Sequence, residues 1–271
     1  MTTVREYYEV NTRHFLRTGS ARVIHRALWG PGVTDLDGAV HWAHDRLRGF
    51  AVDRFGERPI AGLDLGCGVG TSCLWLAAHL PGSFVGVSIS ETQTALAAGF
   101  AQEAGLGDRC RFRTADFCAL PADLGPVDLG WAIEAYVHAP DPAAFFREAA
   151  RVIAPGGALV LIDDFLAPGA DPTHPVVQRF RDGWHTAALS TVADAASHAV
   201  AAGFTVEADE DWTPFVHLGR PRDHLIRWLQ PVFRLGAGRS PWFQSLVGGD
   251  ALQVGLRDGL LHHRWVVFGR R

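Results

Sequence analysis

The feature that most constrains this chain is a glycine-rich turn between an apolar run and a helix-like run. It reads Leu63-Asp64-Leu65-Gly66-Cys67-Gly68-Val69-Gly70-Thr71. Each glycine removes a Cβ where the chain must turn sharply, and leaves the backbone open to a ligand. The dinucleotide pattern G-x-G-x-x-G would need Gly or Ala at position 71, where this chain has Thr71. The turn therefore predicts a strand–helix unit with a small-molecule site at the strand end, although a purely structural turn would also fit.

Strand-like and helix-like patterns alternate after this turn. Strands that alternate with helices at this spacing predict an α/β fold, with a parallel sheet and helices on both faces. Ligands of such sheets bind beyond the carboxyl ends of the strands. The predicted strands are 60–65, 84–87, 110–114, 127–133, 158–163, 204–210 and 264–268. The predicted helices are 4–17, 36–55, 71–80, 91–104, 142–153, 191–202 and 222–235.

The alternation also predicts that the chain consists of a leading segment, a core and an insertion within the core. Residues 1–58 precede the first strand and form a helical leading segment, while residues 59–271 form the core. Residues 165–190 interrupt the alternation with Pro168, Pro172 and Pro175 and then with aromatic residues. We expect this stretch to be an insertion above the sheet.

Composition narrows the class of protein. The chain has 271 residues, 48% of them hydrophobic, which is enough for a large buried core. No apolar run is long enough to span a membrane, and the N-terminus lacks the apolar region of a secretory signal, so we expect a cytoplasmic protein without a membrane partner. A net charge of -4 gives no sign of a nucleic-acid partner. The four cysteines lack metal-ligand spacing. We expect a small-molecule substrate and leave a homo-oligomer open.

The glycine turn, read as D-x-G-x-G-x-G, resembles motif I of class I S-adenosylmethionine (SAM) dependent methyltransferases. Three further stretches match that family at the expected places: Gly86-Val87-Ser88-Ile89-Ser90 with Gln93, Asp116-Phe117, and Pro155-Gly156-Gly157. The resemblance covers residues 59–165 firmly. It implies a Rossmann-like sheet of seven mostly parallel strands whose last strand is antiparallel, and a leading segment that closes over SAM as a lid.

The resemblance also implies a set of cofactor-binding residues. Most relatives carry an acid at the end of strand two for the ribose hydroxyls, and here Ser88 and Gln93 would replace it with neutral hydrogen bonds. Asp116 would bind the adenine amine and Phe117 would lie on its face. The full implied set is Tyr8, Asp64, Gly66, Cys67, Gly68, Gly70, Ser88, Gln93, Asp116, Phe117 and Ile133.

Glu134 and His138 are the candidate catalytic residues. They lie in the run from Trp131 to Pro140, which is similar to the A-I-E-A-x-x-H-A-P of sterol C-methyltransferases, and isoprenyl diphosphate C-methyltransferases also have a Glu there. Four residues apart, they would share one face of a helical turn. A carboxylate in an apolar site could accept a proton. Glu134 could equally order the loop or contact SAM, and His138 could be a packing residue.

Aromatic and basic residues flank the predicted core and suggest an apolar substrate pocket. An aromatic wall could stabilise a carbocation, and guanidinium groups could hold a diphosphate, although arginine is the only long cation that this chain uses. The candidate pocket residues are His25, Trp29, Trp184, Trp212, Phe215, Arg220, Arg222 and His224.

These residues lead to a first hypothesis of C-methylation of an isoprenoid, such as a prenyl diphosphate whose oxygens would bring Mg²⁺ to the site. The sequence does not indicate which residues, if any, would bind the metal directly. The alternatives are O- or N-methylation of another secondary metabolite, and a SAM-binding protein without turnover.

Overall fold

The computed structural model describes residues 3–18, 23–237 and 240–271. Of the leading segment, residues 1–2 and 19–22 therefore lie outside the described part. Within the described residues, seven strands form one sheet in the order β3-β2-β1-β4-β5-β7-β6. Their bounds are β1 Ile60–Leu65, β2 Gly82–Ser88, β3 Cys110–Thr114, β4 Val127–Ile133, β5 Ile153–Leu166, β6 Phe204–Asp211 and β7 Leu261–Arg270.

The sheet confirms the predicted fold class. Strands β1 to β5 pair in parallel, and β7 lies antiparallel between β5 and β6. Both β5 and β7 are longer than predicted, because the register that joins Ala158 with Gly269 continues to Leu166 and Leu261. The sequence pattern missed these ends, since it included only the apolar centre of each strand.

The helices flank the sheet or cap its end. They are α1 Val4–Thr18, α2 Leu36–Phe55, α3 Thr71–His79, α4 Glu91–Glu103, α5 Pro142–Val152, α6 Pro175–Trp184, α7 Val192–Ala201, α8 Pro221–Trp228, α9 Gln230–Ala237 and α10 Pro241–Arg257, with 3-10 turns at Tyr136–His138 and Thr213–Phe215. None of the described helices is both long and apolar enough to cross a membrane.

Alternate residues of β5 separate the core into two layers. Val160 and Ile162 belong to the layer formed with α2, α3, α6 and α10. Leu159 and Leu161 belong to the layer formed with α5 and α7. Because side chains alternate across a strand, both faces of the sheet are covered, which explains the apolar runs of the central strands.

The single predicted helix 222–235 is wrong. The structure divides it into α8 and α9 at Leu229, and Pro231 in the first turn of α9 lacks the amide hydrogen that would continue α8. The structure also contains α10, which was not predicted. Its Gly248-Gly249 pair is unfavourable for an isolated helix, so only tertiary packing explains its formation.

Glycines allow α6 and α10 to cross closely above the sheet. An added Cβ on Gly183 of α6 would meet the Cα of Gly248 on α10 at 2.4 Å. The indole N–H of Trp184 donates to the carbonyl of Ser245 at 3.0 Å beside this crossing. The predicted insertion 165–190 thus contributes α6 to a cap that also contains α8, α9 and α10.

We predict that Gly183→Ala lowers the free energy of unfolding by about 1–3 kcal/mol, because an extra methyl overpacks the crossing. Gly249→Ala is the matched control. Its added Cβ would lie 3.8 Å from the nearest atom, on Trp184. Alanine in a helix interior is favoured over glycine by about 0.5–1 kcal/mol, so this variant should be as stable as the parent or more so. Urea unfolding measures both, and equal stabilities would contradict the close crossing.

Candidate active site

A cavity of about 480 Å³ lies at the carboxyl ends of β1, β2, β4 and β5, where the fold predicts a ligand. We call it the strand-end cavity. Its walls include the predicted residues Tyr8, Asp64, Gly66, Cys67, Gly68, Ser88, Gln93, Asp116, Phe117, Ile133, Glu134 and His138. Residues that were predicted separately, from several strands and α1, therefore meet around one space.

The glycine turn forms the floor of this cavity. Gly66 and Gly68 have φ values of 95° and 53°, and the amides of Gly66 and Cys67 both donate to the carbonyl of Val87. An added Cβ on Gly66 would meet the Cβ of Ala135 at 2.4 Å. Among the described residues, only Ile24 would lie within 4 Å of an added Cβ on Gly68, at 3.6 Å, so the backbone at Gly68 is open to a ligand.

Gly70 has a different role from the one predicted. It does not line the strand-end cavity but precedes α3, with a φ of 83°. An added Cβ there would meet the ring of Phe112 at 2.6 Å. Gly70 is therefore a packing residue that lets α3 begin close to β3.

Neutral side chains occupy the end of β2. The Ser88 hydroxyl donates to the Gln93 carbonyl oxygen at 2.8 Å, and the Gln93 amide donates to the Thr12 hydroxyl at 3.1 Å. These bonds connect the strand end with α4 and α1. The pair thus stands where an acid is usual, with no carboxylate of its own.

Asp116 and Asp64 lie on other parts of the wall. The Asp116 carboxylate accepts from the amide of Cys118 at 2.8 Å, and the neighbouring Phe117 ring packs edge-on against Phe145. Asp64 lies at the end of β1, and its burial raises the pKa of its carboxyl group to about 7.

A buried charge network holds Glu134. Its carboxylate accepts from the Arg26 amide at 2.9 Å and lies 3.0 Å from the Arg26 Nε. The two terminal nitrogens of Arg26 bind both carboxylate oxygens of Asp164, and Asp164 also contacts the His263 Nδ1 at 3.0 Å. Burial opposes the charge of Arg26, but the two carboxylates outweigh it and raise its pKa. Burial likewise disfavours the Asp164 carboxylate, but Arg26 and His263 outweigh it and lower its pKa to about 2.

His138 faces the cavity beside Tyr8. The Tyr8 hydroxyl lies 2.8 Å from the His138 Nε2, and the His138 Nδ1 lies 3.4 Å from the carbonyl of His185. A carbonyl only accepts, so the hydrogen of the neutral ring lies on Nδ1, and Nε2 accepts the Tyr8 hydrogen. Burial lowers the pKa of His138 to about 4, so the ring is neutral at pH 7.

A second cavity of about 460 Å³ adjoins the first, under α6, α8 and α10. We call it the cap cavity. Both cavities are lined by Ile24, His25, Arg26, Trp184, Arg220 and Arg222. Four of the predicted substrate residues, His25, Trp184, Arg220 and Arg222, therefore lie where the two spaces meet.

The other four predicted pocket residues line neither cavity. Trp212 is 1% exposed and stacks on Trp265, because the 3-10 turn after β6 directs it towards α2. Phe215 packs against Trp42 on the same side. Trp29 stacks on His217, and His224 lies on the exposed side of α8. These four residues therefore do not form the predicted substrate pocket.

Some wall residues were not predicted. Asp163 and Asp164 could have been found, because two acids that follow an apolar strand pattern are unusual at the end of a buried strand. Arg26 carried no such signal, since it pairs with residues more than 100 positions away. His25 was predicted, but not its contact with His44, which lies 2.9 Å away and also contacts Ser72. In the part of the chain that the structure describes, no cluster of three or more His, Cys, Asp or Glu residues could hold a metal ion.

We predict that Arg26→Met lowers the free energy of unfolding at pH 7 by about 3–5 kcal/mol, because it leaves buried carboxylates without a cation. Asp164 has a pKa below its usual 3.8, so its contribution is present above pH 3.8 and is lost as the pH falls towards 2. The difference in the free energy of unfolding between Arg26→Met and the parent should therefore become smaller as the pH falls from 3.8 towards 2.

Arg58→Met is the control for this prediction. Arg58 pairs with Asp128 at 2.7 Å, but its side chain is 51% exposed. Exposed ion pairs contribute little to the free energy of unfolding, because water and salt screen them, so the control should change little. Chemical unfolding from pH 8 to pH 2 measures all three proteins. Equal losses in the two variants would contradict the special role of the buried network.

Comparison with known proteins identifies the family of the chain. A family model described as "Methyltransferase domain" matches residues 63–161. The 27-O-demethylrifamycin SV methyltransferase of Amycolatopsis mediterranei is 34% identical over 189 residues, which are 69% of this chain and 68% of that protein. The norajmaline N-methyltransferase of Rauvolfia serpentina is 29% identical over 184 residues, or 63% of each protein.

A solved structure shows the same fold. The geranyl diphosphate C-methyltransferase of Streptomyces coelicolor has a TM-score of 0.72, with 18% identity and coverage of 99% of this chain and 96% of that one. Such relatives carry methyl groups to oxygen, nitrogen or carbon, so the family alone does not assign the acceptor. By its sequence match and its fold, the chain belongs to the SAM-dependent methyltransferase family.

Proposed function

We propose that this methyltransferase transfers the SAM methyl group to a hydroxyl oxygen of a small, largely apolar molecule. The observation that carries the proposal is the pair formed by Tyr8 and a neutral His138 on the wall of the strand-end cavity. A hydroxyl group must lose its proton when it attacks a methyl group, so a neutral base at this wall meets a requirement of the reaction.

The residues of the strand-end cavity fit SAM. The open backbone at Gly68 and the turn at Gly66 would lie against its methionine part, and Asp116 with Phe117 would hold the adenine. Ser88 would accept hydrogen bonds from the ribose, because its own hydrogen is engaged with Gln93. When bound, SAM supplies an electrophilic methyl group on its sulfonium. The chain's task is to align the acceptor, exclude water and remove a proton.

The proton would leave through Tyr8. The acceptor hydroxyl would pass its proton to the Tyr8 oxygen while the Tyr8 hydrogen moves to the His138 Nε2. The acceptor oxygen would receive the methyl group that SAM supplies, whose bond to sulfur breaks and leaves a neutral thioether. Burial raises the pKa of Tyr8 well above its usual value, so a free tyrosinate is disfavoured and both transfers must occur together. His138 ends the step as an imidazolium.

Glu134 fits an anchoring role better than a base role. Its carboxylate is held by both the backbone and the side chain of Arg26. A base must rotate towards its substrate, and that rotation would leave Arg26 with one buried carboxylate fewer. We therefore assign Glu134 to holding residues 23–30 against the site.

The leading segment fits the role of a lid. From α1, the side chains of Val4, Tyr7 and Tyr8 reach the strand-end cavity. The helix is held by Asn11, which donates to the carbonyl of Pro241, and by the Thr12 hydroxyl, which accepts from Gln93. We propose that residues 1–58 close over the cofactor after it binds.

C-methylation of an isoprenoid diphosphate is the second candidate. It is favoured by Arg220 and Arg222, which line both cavities and could bind a diphosphate with its Mg²⁺. Trp184 lies between the cavities and would be the aromatic wall beside a carbocation. Of the aromatic residues first proposed for that wall, Trp212 and Phe215 no longer support it.

The candidates differ in product. We would incubate the protein and SAM with hydroquinones and phenols that carry alkyl chains, and with geranyl and farnesyl diphosphate with and without Mg²⁺. Mass spectrometry identifies the methylated atom. An O-methyl product supports the first candidate. A C-methyl product that forms only from the diphosphates would replace it with the second.

For the proton relay, we predict that His138→Gln lowers kcat by about 10²-fold or more and leaves SAM affinity unchanged. Since the pKa of His138 is about 4, the acid limb of kcat/KM in the parent should lie near that pH rather than near 6.5. Tyr8→Phe should also lower kcat, because it interrupts the relay. His198→Gln, on α7 away from both cavities, is the control. Normal turnover by His138→Gln would refute the relay.

For the cofactor site, we predict that Gly68→Val weakens SAM binding at least 10-fold, because its side chain would enter the strand-end cavity. Gly105→Val is the matched control. Gly105 also has a positive φ, 68°, and its added Cβ would have no contact within 4 Å in the described part of the chain. Valine is strained at a positive φ in both variants, so the control accounts for the backbone effect of the substitution. Calorimetric titration with SAM separates them, and equal affinities would contradict this cofactor assignment.

A further inference from the structure

We propose that α8 and α9 form a docking face for an anionic membrane surface. Large apolar side chains stand in solvent along these two helices. They are Leu225, Trp228, Val232 and Leu235, with exposed fractions of 57%, 77%, 59% and 81%. Such a set is unusual on a soluble protein and indicates a contact surface.

The four side chains share the outward side of the helix pair. Leu225 and Trp228 are three residues apart in α8, and Val232 and Leu235 are three residues apart in α9, so each pair lies on one side of its own helix. The inward sides carry Asp223 and Gln230, which are buried, and Gln230 donates to the carbonyl of Leu246 on α10. The exposed side is therefore not an unpacked core surface, since these helices already bury their other sides against α10.

The positive charge of α8 and α9 indicates that this face binds an anionic surface. Residues 221–237 contain three arginines and a single acid, Asp223, which pairs with Arg220. Arg227 pairs with Asp250. Arg222 and Arg234 are exposed, and neither has an ion-pair partner in the described ranges. Helices with apolar residues flanked by arginines bind the interface of anionic bilayers, where an indole ring such as that of Trp228 is also favoured.

A second copy of the chain fits this face less well. A two-fold contact brings the same surface of both subunits together, so the positive charges of Arg222 and Arg234 would face a surface that carries the same two charges. No acid lies on the outward side to compensate them. Anionic lipid headgroups supply that compensation directly.

The face also borders the cap cavity. Ile226 of α8, together with Arg222, lines that cavity. A protein docked through Leu225 and Trp228 would therefore hold the opening of the cap cavity at the lipid surface, from which an apolar molecule could enter. The inference concerns docking alone and does not depend on which atom is methylated.

The test is sedimentation with lipid vesicles. We expect the full chain to bind vesicles of equal phosphatidylcholine and phosphatidylglycerol, at least 10-fold more tightly than pure phosphatidylcholine, and less tightly as salt rises. Trp228→Ser with Leu235→Ser should lower that binding at least 10-fold. Arg234→Gln should lower it less, through the charge.

The matched control is Val200→Ser with Val206→Ser, since these valines are 56% and 44% exposed and lie on α7 and β6. It should bind vesicles like the parent. Unchanged melting temperature and SAM affinity show that each variant is folded. The proposal is overturned if the parent binds neither vesicle, if it binds both equally, or if light scattering shows a dimer that Trp228→Ser with Leu235→Ser converts to a monomer.

Discussion

The buried ion pairs of Arg26 are the interaction on which the site depends. One guanidinium compensates two carboxylates, Glu134 after β4 and Asp164 near the end of β5, and so connects residues 23–30 to the ends of two adjacent strands. The cost of burying these charges is offset only while all of them remain together. The strand-end cavity therefore has its wall near Arg26 because of this electrostatic requirement.

The fold could be predicted because its signals are local. The glycine turn, the apolar strands and the capping residues each act within a few positions. Asp35, Ser90, Asp141 and Thr191 all accept from the backbone at helix starts. The helix α10 could not be predicted in this way. It depends on the crossing at Gly183 and Gly248, which are 65 positions apart, and a local pattern cannot indicate that contact.

The site, like the fold, could be predicted only where its residues are placed by local sequence patterns. Residues at strand ends were found, because topology alone brings the carboxyl ends of parallel strands together. The pairing of Glu134 with Arg26 was not, and this pairing is the observation that supports our proposal of an anchoring role for Glu134. Trp212 shows the opposite error. Its position after β6 is near the expected pocket, but the turn Thr213–Phe215 directs it to the other side, and sequence spacing does not specify direction.

The backbone of Glu134 has a further consequence. Its φ of 50° is in the left-handed region, which costs a residue with a side chain about 1–2 kcal/mol relative to glycine. Its amide donates to the carbonyl of Ile162, and its carboxylate is held by Arg26, so these two bonds oppose that cost. If residues 23–30 move away, the second bond is lost and the strained turn is free to relax. The strained turn after β4 is thus coupled to residues 23–30, so that separation of Arg26 from Glu134 and relaxation of the turn favour each other.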